Sequence, residues 1–343
     1  MSPIELRSDN AAGIAPEILQ AIEAANSGSA LAYGGDQWSA RLQALAAEVF
    51  EQPDVTIFPV LTGTAANAIA LSAMCPPWGA VLCHETAHIL RSEGGATSMF
   101  GAGAVMKGLP GDNFLLEESS LETAFATTRW GDPHHSQPTV VSLTNPTDLG
   151  TVYPLARIAA LSRRAHEQGL LVHMDGARLA NALVSLDCSP AALTWQAGID
   201  VVTLGATKNG VMTADAIVCF NAEVAKTLTY RLKRAGQVAS KMRFQAVQLQ
   251  AYLNQGRWLA WASQANNAMQ ALVRGLQAQG ATFVVTPDAN MAFVHVDNPM
   301  ADRLQAAGLL FYRTAPGVIR LVTSFQTTSA DIEETLARWQ QCL

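Results

Sequence analysis

Short β-rich apolar runs alternate with stretches of helical periodicity through the middle of the chain, the pattern of βαβ units around a largely parallel sheet. Val55–Val60 reads as a strand, and Thr62-Gly63-Thr64-Ala65-Ala66-Asn67 turns from it into a helix of small residues, Ala65–Met74. Ala80–Cys83 is a second strand. The strand Thr139–Leu143, the helix Pro154–Gln168 with proline in its first turn and Gly169 as its stop, and the strand Leu170–Met174 form one complete βαβ unit. Asp200–Leu204 is the next strand, Gly205-Ala206-Thr207-Lys208 is the loop leaving it, and Ala214–Phe220 is an apolar strand returning to the sheet.

Beyond this the pattern changes. Ala222–Gln277 is mostly helical, and short strands at Thr282–Val285, Met291–Val296 and Ile319–Val322 surround a helix at Met300–Ala307. The expected architecture is α/β: a large domain over residues 1–250 with a mostly parallel sheet flanked by helices, and a smaller α+β domain over residues 251–343. No polar, Pro- and Gly-rich linker separates them, which places the boundary in or just after a long helix.

Composition narrows the classes of function. With 343 residues the chain can bury a sizeable core, and 22 basic against 28 acidic residues give a formal charge of −6, no footprint for a polyphosphate backbone. A nucleic-acid partner is not expected. Charged residues are only 15% while hydrophobic residues reach 49%, too few charges to cover an isolated monomer, so a homo-oligomer is expected. The run Val55–Cys83 carries no charge, yet Pro59, Gly63, Asn67, Pro76 and Pro77 divide it into strand, turn and helix, the reading of soluble core and not of a membrane span. Cys75, Cys83, Cys188, Cys219 and Cys342 are odd in number and fall at no metal-ligand spacing, which fits reduced thiols; with Glu5 and Arg7 where a secretion signal needs apolar residues, a cytoplasmic location is expected.

Polar residues just after strands converge on one crevice in an open α/β sheet. Thr62-Gly63-Thr64 at a helix start could hold a phosphate through backbone N–H groups and the helix dipole, or could be a plain strand-to-helix turn. Asp175, in His173-Met174-Asp175-Gly176-Ala177-Arg178, is a carboxylate beyond a buried strand, with an ordinary helix N-cap as the competing reading. Lys208 is one of only five lysines and lies among small uncharged residues, where desolvation would lower its pKa and favour a Schiff base, although lysines after strands are commonly just solvated. His84 and His88 have an i, i+4 spacing, but no third ligand stands with them on a clear helix, and no metal is expected; His173, inside a strand, reads as structural. A phosphate cradle, a strand-end aspartate and a strand-end lysine together are what pyridoxal phosphate requires: an anchor, an anion for the pyridine nitrogen and an amine for the aldehyde.

With these segments the chain resembles the threonine aldolases, fold-type I pyridoxal-phosphate enzymes. The resemblance also rests on Leu6-Arg7-Ser8-Asp9, Tyr33-Gly34, Ala87-His88 with Glu93-Gly94-Gly95, and Ile319-Arg320-Leu321-Val322-Thr323, all in the family's order. It implies that Lys208 carries the cofactor, Asp175 pairs with its ring nitrogen, His88 stacks on the ring, and Gly63, Thr64 and Thr207 hold the phosphate. It implies that Ser8, Arg178 and Arg320 bind the substrate carboxylate, with the N-terminal 30 residues near the site. His134, or His135 in the adjacent register, matches a histidine near the β-hydroxyl. Arg243 resembles an arginine reaching the phosphate from a neighbouring subunit, and Tyr33 lies at the same boundary. Three segments depart from the pattern: Thr144 and Pro146-Thr147 where an acidic residue and a histidine are usual, Asn209-Gly210-Val211-Met212 for a glycine-rich loop, and Lys241 for a glycine. The last two resemble a low-specificity or phenylserine-cleaving subgroup.

The activity so implied is retro-aldol cleavage of an L-β-hydroxy-α-amino acid (threonine, allo-threonine or phenylserine) to glycine and an aldehyde, in a homotetramer of active dimers. His88, His134 or an ordered water is the candidate base. A β-eliminating lyase or an aminotransferase would use the same scaffold, aspartate and lysine, and a non-catalytic binding protein is the reading from another class.

Overall fold

The computed structural model describes residues 2–343. In chain order the strands are β1 (Ile4–Glu5), β2 (Thr56–Val60), β3 (Gly79–His84), β4 (Val105–Leu109), β5 (Gln137–Thr144), β6 (Leu171–Gly176), β7 (Val201–Leu204), β8 (Asp215–Cys219), β9 (Met291–His295), β10 (Leu309–Leu310), β11 (Tyr312–Ala315) and β12 (Val318–Val322). Seven of them form the main sheet in the order β2-β8-β7-β6-β5-β3-β4, in which β8 alone runs antiparallel to its neighbours. The expected α/β architecture is therefore present. Strands β6 to β8 are buried almost end to end, as a sheet covered on both faces must be.

Local sequence explains the connecting helices. Gly63–Met74 begins at Thr62, whose hydroxyl accepts from the Ala65 N–H at 3.2 Å, and its alanines are buried with Ile69 and Leu71 because small side chains let the helix lie close to the sheet. Leu155–Glu167 buries Ile158, Leu161 and Ala165 on one face. It closes through Gly169 at φ +75°: the Gly169 N–H reaches His166 O and the Leu170 N–H reaches Ala165 O, a Schellman ending that glycine makes easy.

A second core lies beyond the sheet. The antiparallel sheet β11-β12-β9 packs with the helices Asn298–Ala306 and Ser329–Cys342 around Leu272, Val294, Leu304, Ile319 and Trp339. The helix Arg257–Ala278 serves both cores, with Trp258 and Ala262 in the first and Ala268 to Leu276 in the second. Strand β1 pairs in parallel with β10, and Leu6 is buried in the second core. That pairing carries Ser8 and Asp9 to the crevice between the cores.

Two expectations change. Thr282–Val285 is not a strand but an isolated bridge between Phe283 and Val294; Pro287, which has no N–H to offer a ladder, follows closely. The helical region after Ala222 is three helices, Ala222–Arg234, Arg243–Leu253 and Arg257–Ala278, broken where Gly236 and Gly256 take positive φ. No helix among the described residues is long and apolar enough to cross a membrane, and all five cysteines are free thiols.

Candidate active site

The carboxyl ends of β6 and β7 and the N-terminus of Gly63–Met74 open on a cleft of about 270 Å³ lined by Thr62, Gly63, Thr64, Asn67, His88, Glu93, Asp175, Thr207, Lys208 and Asp215. Asp175 lies inside β6 and does not cap the helix that follows, whose N-cap is Arg178. One Asp175 oxygen accepts from the Ala177 N–H at 3.0 Å and the other from the Asn67 amide at 3.0 Å. The same Asn67 nitrogen donates to Glu93 Oε1 at 2.9 Å, and Asn67 Oδ1 accepts from the Thr203 hydroxyl at 2.7 Å. Asn67 thus fixes two buried carboxylates at once. His88, at the head of a single helical turn, bonds Glu93 Oε1 through Nδ1 at 3.0 Å, and that bond raises its pKa against the opposing effect of burial. Donor atoms of His88, Glu93 and Asp175 lie within 4.8 Å of one another, so the three form one connected cluster.

Lys208 sits in the one-turn segment Thr207–Asn209 after β7. Burial lowers its pKa, the nearby Arg178 charge adds to that, and Asp9, Asp175 and Asp215 act the other way. Its turn is held by Asp215, whose Oδ1 accepts the N–H groups of Ala206 at 2.8 Å and Thr207 at 3.0 Å. Gly205 lets this loop approach β6, because a Cβ there would stand 2.1 Å from Ala177 O. The helical N–H groups of Gly63 and Thr64 precede the first bond of their helix, from Ala66 N–H to Thr62 O, and point into the same cleft. The buried Thr207 hydroxyl has no partner.

A larger cavity of about 690 Å³ continues from this cleft and shares His88 and Lys208 with it; Ser8, Asp148, Arg178 and Arg320 line its polar side. Arg178 donates from Nε to Asp9 Oδ2 at 2.6 Å and from Nη2 to Asp9 Oδ1 at 3.0 Å, and the Asn290 amide supports Asp9 at 3.1 Å. Burial alone would raise the Asp9 pKa; the Arg178 guanidinium, joined by Lys208 and the Asn290 amide, more than offsets it and leaves the carboxyl below its ordinary value. Burial lowers the Arg320 pKa. Its Nη2 donates to Arg7 O at 3.0 Å, and its buried Nε has no partner, leaving a donor for a bound anion. The Ser8 hydroxyl caps the turn Asp9–Ala11.

The remaining sequence-derived residues lie elsewhere. His134 and His135 occupy the turn before β5, at the amino ends of the parallel strands, whereas Asp175 is at the carboxyl end of β6; this chain does not bring them to its own cleft. His135 instead faces Asp132 at 3.6 Å. Tyr33 and Arg243 are also outside the cleft: Tyr33 N–H donates to Ser240 O at 3.2 Å beneath Lys233, and Arg243 donates to Gly28 O at 3.2 Å beside Trp38 and Phe244. His173 is fully buried, bonded to Ser142 at 2.9 Å, and burial lowers its pKa to about 4, which makes it a neutral structural group. The sequence alone assigns no role to Asn67, Glu93, Asp9, Asp148 or Asp215. A polar Asn67 inside a helix of alanines was the visible signal for the first; the carboxylates gave none beyond their motifs.

Residues 5–299 match the Beta-eliminating lyase family. A low-specificity L-threonine aldolase of Pseudomonas sp. (strain NCIMB 10558) is 39% identical over 97% of this chain and 96% of its own length. The Leishmania major threonine aldolase structure superposes with a TM-score of 0.93 at 26% identity, covering 99% of both chains. Aspartate aminotransferase of Thermus thermophilus, at 18% identity and a TM-score of 0.70, shares the fold alone, over 99% of this chain and 92% of that one. Most of the chain lies within the family match, and a relative aligns nearly end to end, so the chain belongs to the beta-eliminating lyases, on their threonine aldolase branch.

Proposed function

We propose that this enzyme is a pyridoxal-phosphate-dependent aldehyde-lyase that cleaves L-β-hydroxy-α-amino acids, threonine and allo-threonine among them and phenylserine by the subgroup resemblance, to glycine and an aldehyde. The observation that carries the proposal is a desolvated Lys208 sharing one cleft with Asp175 at neighbouring strand ends. The residues present suit the cofactor. The free N–H groups of Gly63 and Thr64 and the unpartnered Thr207 hydroxyl make an anion site at a helix N-terminus. Asp175, with one oxygen on Asn67 and the other on Ala177 N–H, is a fixed anion for a protonated ring nitrogen, and His88 lines the same cleft for stacking. When bound, the cofactor supplies an electron sink at the substrate's α-carbon.

The chain's own residues do the rest. Lys208 holds its amine with a lowered pKa, so a larger share is the unprotonated nucleophile at neutral pH. Arg320 Nε, Ser8 and the Asp9-anchored Arg178 converge on the adjoining cavity to orient the substrate carboxylate. With Arg178 gripping Asp9 through Nε and Nη2 and Arg320 bonded to Arg7 O through Nη2, the free Arg320 Nε is the charge-assisted donor left for that anion. His88 donates from Nδ1 to Glu93 Oε1, which holds its ring in place beside the reacting region.

The working form we infer is a cytoplasmic homotetramer, in which the surface carrying Tyr33 and Arg243 abuts a neighbour and lends Arg243 to that neighbour's phosphate. Support comes from their placement together outside their own cleft and from exposed Leu31 and Tyr33 on that face.

The test is release of glycine and aldehyde from L-threonine, L-allo-threonine and L-phenylserine by the loaded enzyme, beside Lys208→Ala. Equal amounts of both products that vanish in the variant are expected. Pyruvate and ammonia, or a requirement for a keto acid, would overturn the proposal in favour of elimination or transamination.

A further inference from the structure

Each acidic side chain around the two cavities has a visible duty except one. Asp9 grips Arg178, Asp175 is held by Asn67 and Ala177 N–H, Glu93 binds Asn67 and His88, and Asp215 holds the Lys208 turn. Asp148 lines the cavity with Ser8, His88, Arg178, Lys208 and Arg320, and among the described residues its carboxylate takes part in no ion pair. The forces on it are burial and the charges of Asp175, His88, Arg178 and Lys208; no hydrogen bond is among them. Its backbone is not loose. Thr147 Oγ1 bonds Thr151 Oγ1 at 2.6 Å and accepts the Leu149 N–H at 3.3 Å, and Gly150 O accepts the N–H groups of Asp288 and Ala289 at 2.9 and 3.1 Å. The turn is therefore clamped against the segment of Asp288 and Ala289 that leads into β9, with its one ionisable group turned to the cavity.

We propose that Asp148 is the catalytic base that accepts the substrate's β-hydroxyl proton. This rests on the aldolase reading above and specifies the group that performs its proton transfer. In the step, the β O–H bond breaks and its proton passes to an Asp148 oxygen, the Cβ–O bond becomes the aldehyde carbonyl, and the Cα–Cβ bond breaks with its electron pair left at Cα. A proton then reaches Cα to give glycine, and the carboxyl returns its own to solvent.

The alternatives within the cavity are occupied. His88 is committed through Nδ1 to Glu93, a bond that shifts it toward the imidazolium, which has no free lone pair to take a proton, and His134 is at the wrong end of the strands. Burial first, and then Asp175, raises the Asp148 pKa above the ordinary aspartate value, with the cations opposing, which makes it a stronger base than a solvated carboxylate.

The decisive variant is Asp148→Asn, which keeps shape and loses the proton acceptor. Two reactions of the loaded enzyme separate a base from a structural residue: glycine release from L-threonine, and exchange of glycine's α-proton in deuterium oxide followed by NMR. The second needs Lys208 and the carboxylate clamp but no β-hydroxyl base. Glycine release should fall by about 10²-fold or more while α-proton exchange persists at the wild-type rate. Cleavage at the wild-type rate, or an equal loss of both reactions, would overturn the assignment. Wild-type enzyme that exchanges glycine's proton but never cleaves threonine would instead sink the aldolase reading, so the two failures are told apart.

Discussion

Replacing Asn67 with alanine should be among the most damaging single changes that leave Lys208 and Asp175 in place. Three hydrogen bonds disappear: those to Asp175 Oδ2 and Glu93 Oε1, and the one accepted from Thr203. Bonds to charged groups contribute roughly 1.5–3 kcal/mol each, and a neutral one about 1 kcal/mol. Both carboxylates line the cleft, so water can replace part of what Asn67 supplies, and the lower end of each range applies. The expected loss is about 4 kcal/mol, to be read from urea unfolding of cofactor-free protein followed by tryptophan fluorescence. A companion Asn67→Asp places a third carboxyl between two others, so its acid form is favoured in the folded state. Its folded pKa then exceeds the unfolded value of about 3.9, so relative to the wild type the variant should lose stability as pH rises through the folded value. A loss below about 1 kcal/mol for Asn67→Ala, with no added pH dependence for Asn67→Asp, would refute the claim that Asn67 holds the two carboxylates.

The buried His173 titrates only on unfolding. Its folded pKa of about 4 lies below the unfolded value near 6.5, so its neutral burial contributes stability that is present above the unfolded value and lost as pH falls toward the folded one; His173→Gln should flatten that part of the stability curve, measured by urea midpoints across the interval. Gly205→Ala drives a Cβ to 2.1 Å from a backbone carbonyl on the neighbouring β6 connection, so the lysine loop must shift; the protein should fold but lose the absorbance band of bound pyridoxal phosphate, and a retained band would show the loop to be compliant. Asp9→Asn removes the charge opposite Arg178, and KM for threonine should rise about tenfold with a smaller change in kcat, which steady-state kinetics can separate. Because the Asp9 carboxyl is held below its ordinary value, its pairing stabilises the fold above the unfolded aspartate pKa and is lost in acid as pH falls through the lowered value; acid unfolding of the wild type should begin at higher pH than the Asn variant's residual dependence accounts for.

What could be read in the chain and what could not divides along one physical line. Lys208, Asp175 and Gly63 each stand where a strand ends, and a strand end is a local event, marked by the switch from an apolar run to small and polar residues. Partnerships across the fold leave no such mark. Asp9 and Arg178 are 169 positions apart, Asn67 and Asp175 are 108 apart, and neither pair has a spacing that helical or strand periodicity could expose. The two-residue strands β1 and β10 are too short to show a period, yet their pairing is what delivers Ser8 and Asp9 to the crevice. Thr282–Val285 errs the other way: its β-branched pattern is sound, but with only the Phe283 bridge to β9 it cannot build a ladder. The roles given to Tyr33, Arg243, His134 and His135 came from resemblance and not from local pattern, and a site assembled from several subunits need not gather in one chain. Asp148 shows the limit most plainly. It sits in the very segment where the sequence departs from the family's usual acidic residue and histidine, so resemblance had no role to offer it. Only the cavity, with every other carboxylate already engaged, makes its free oxygen conspicuous.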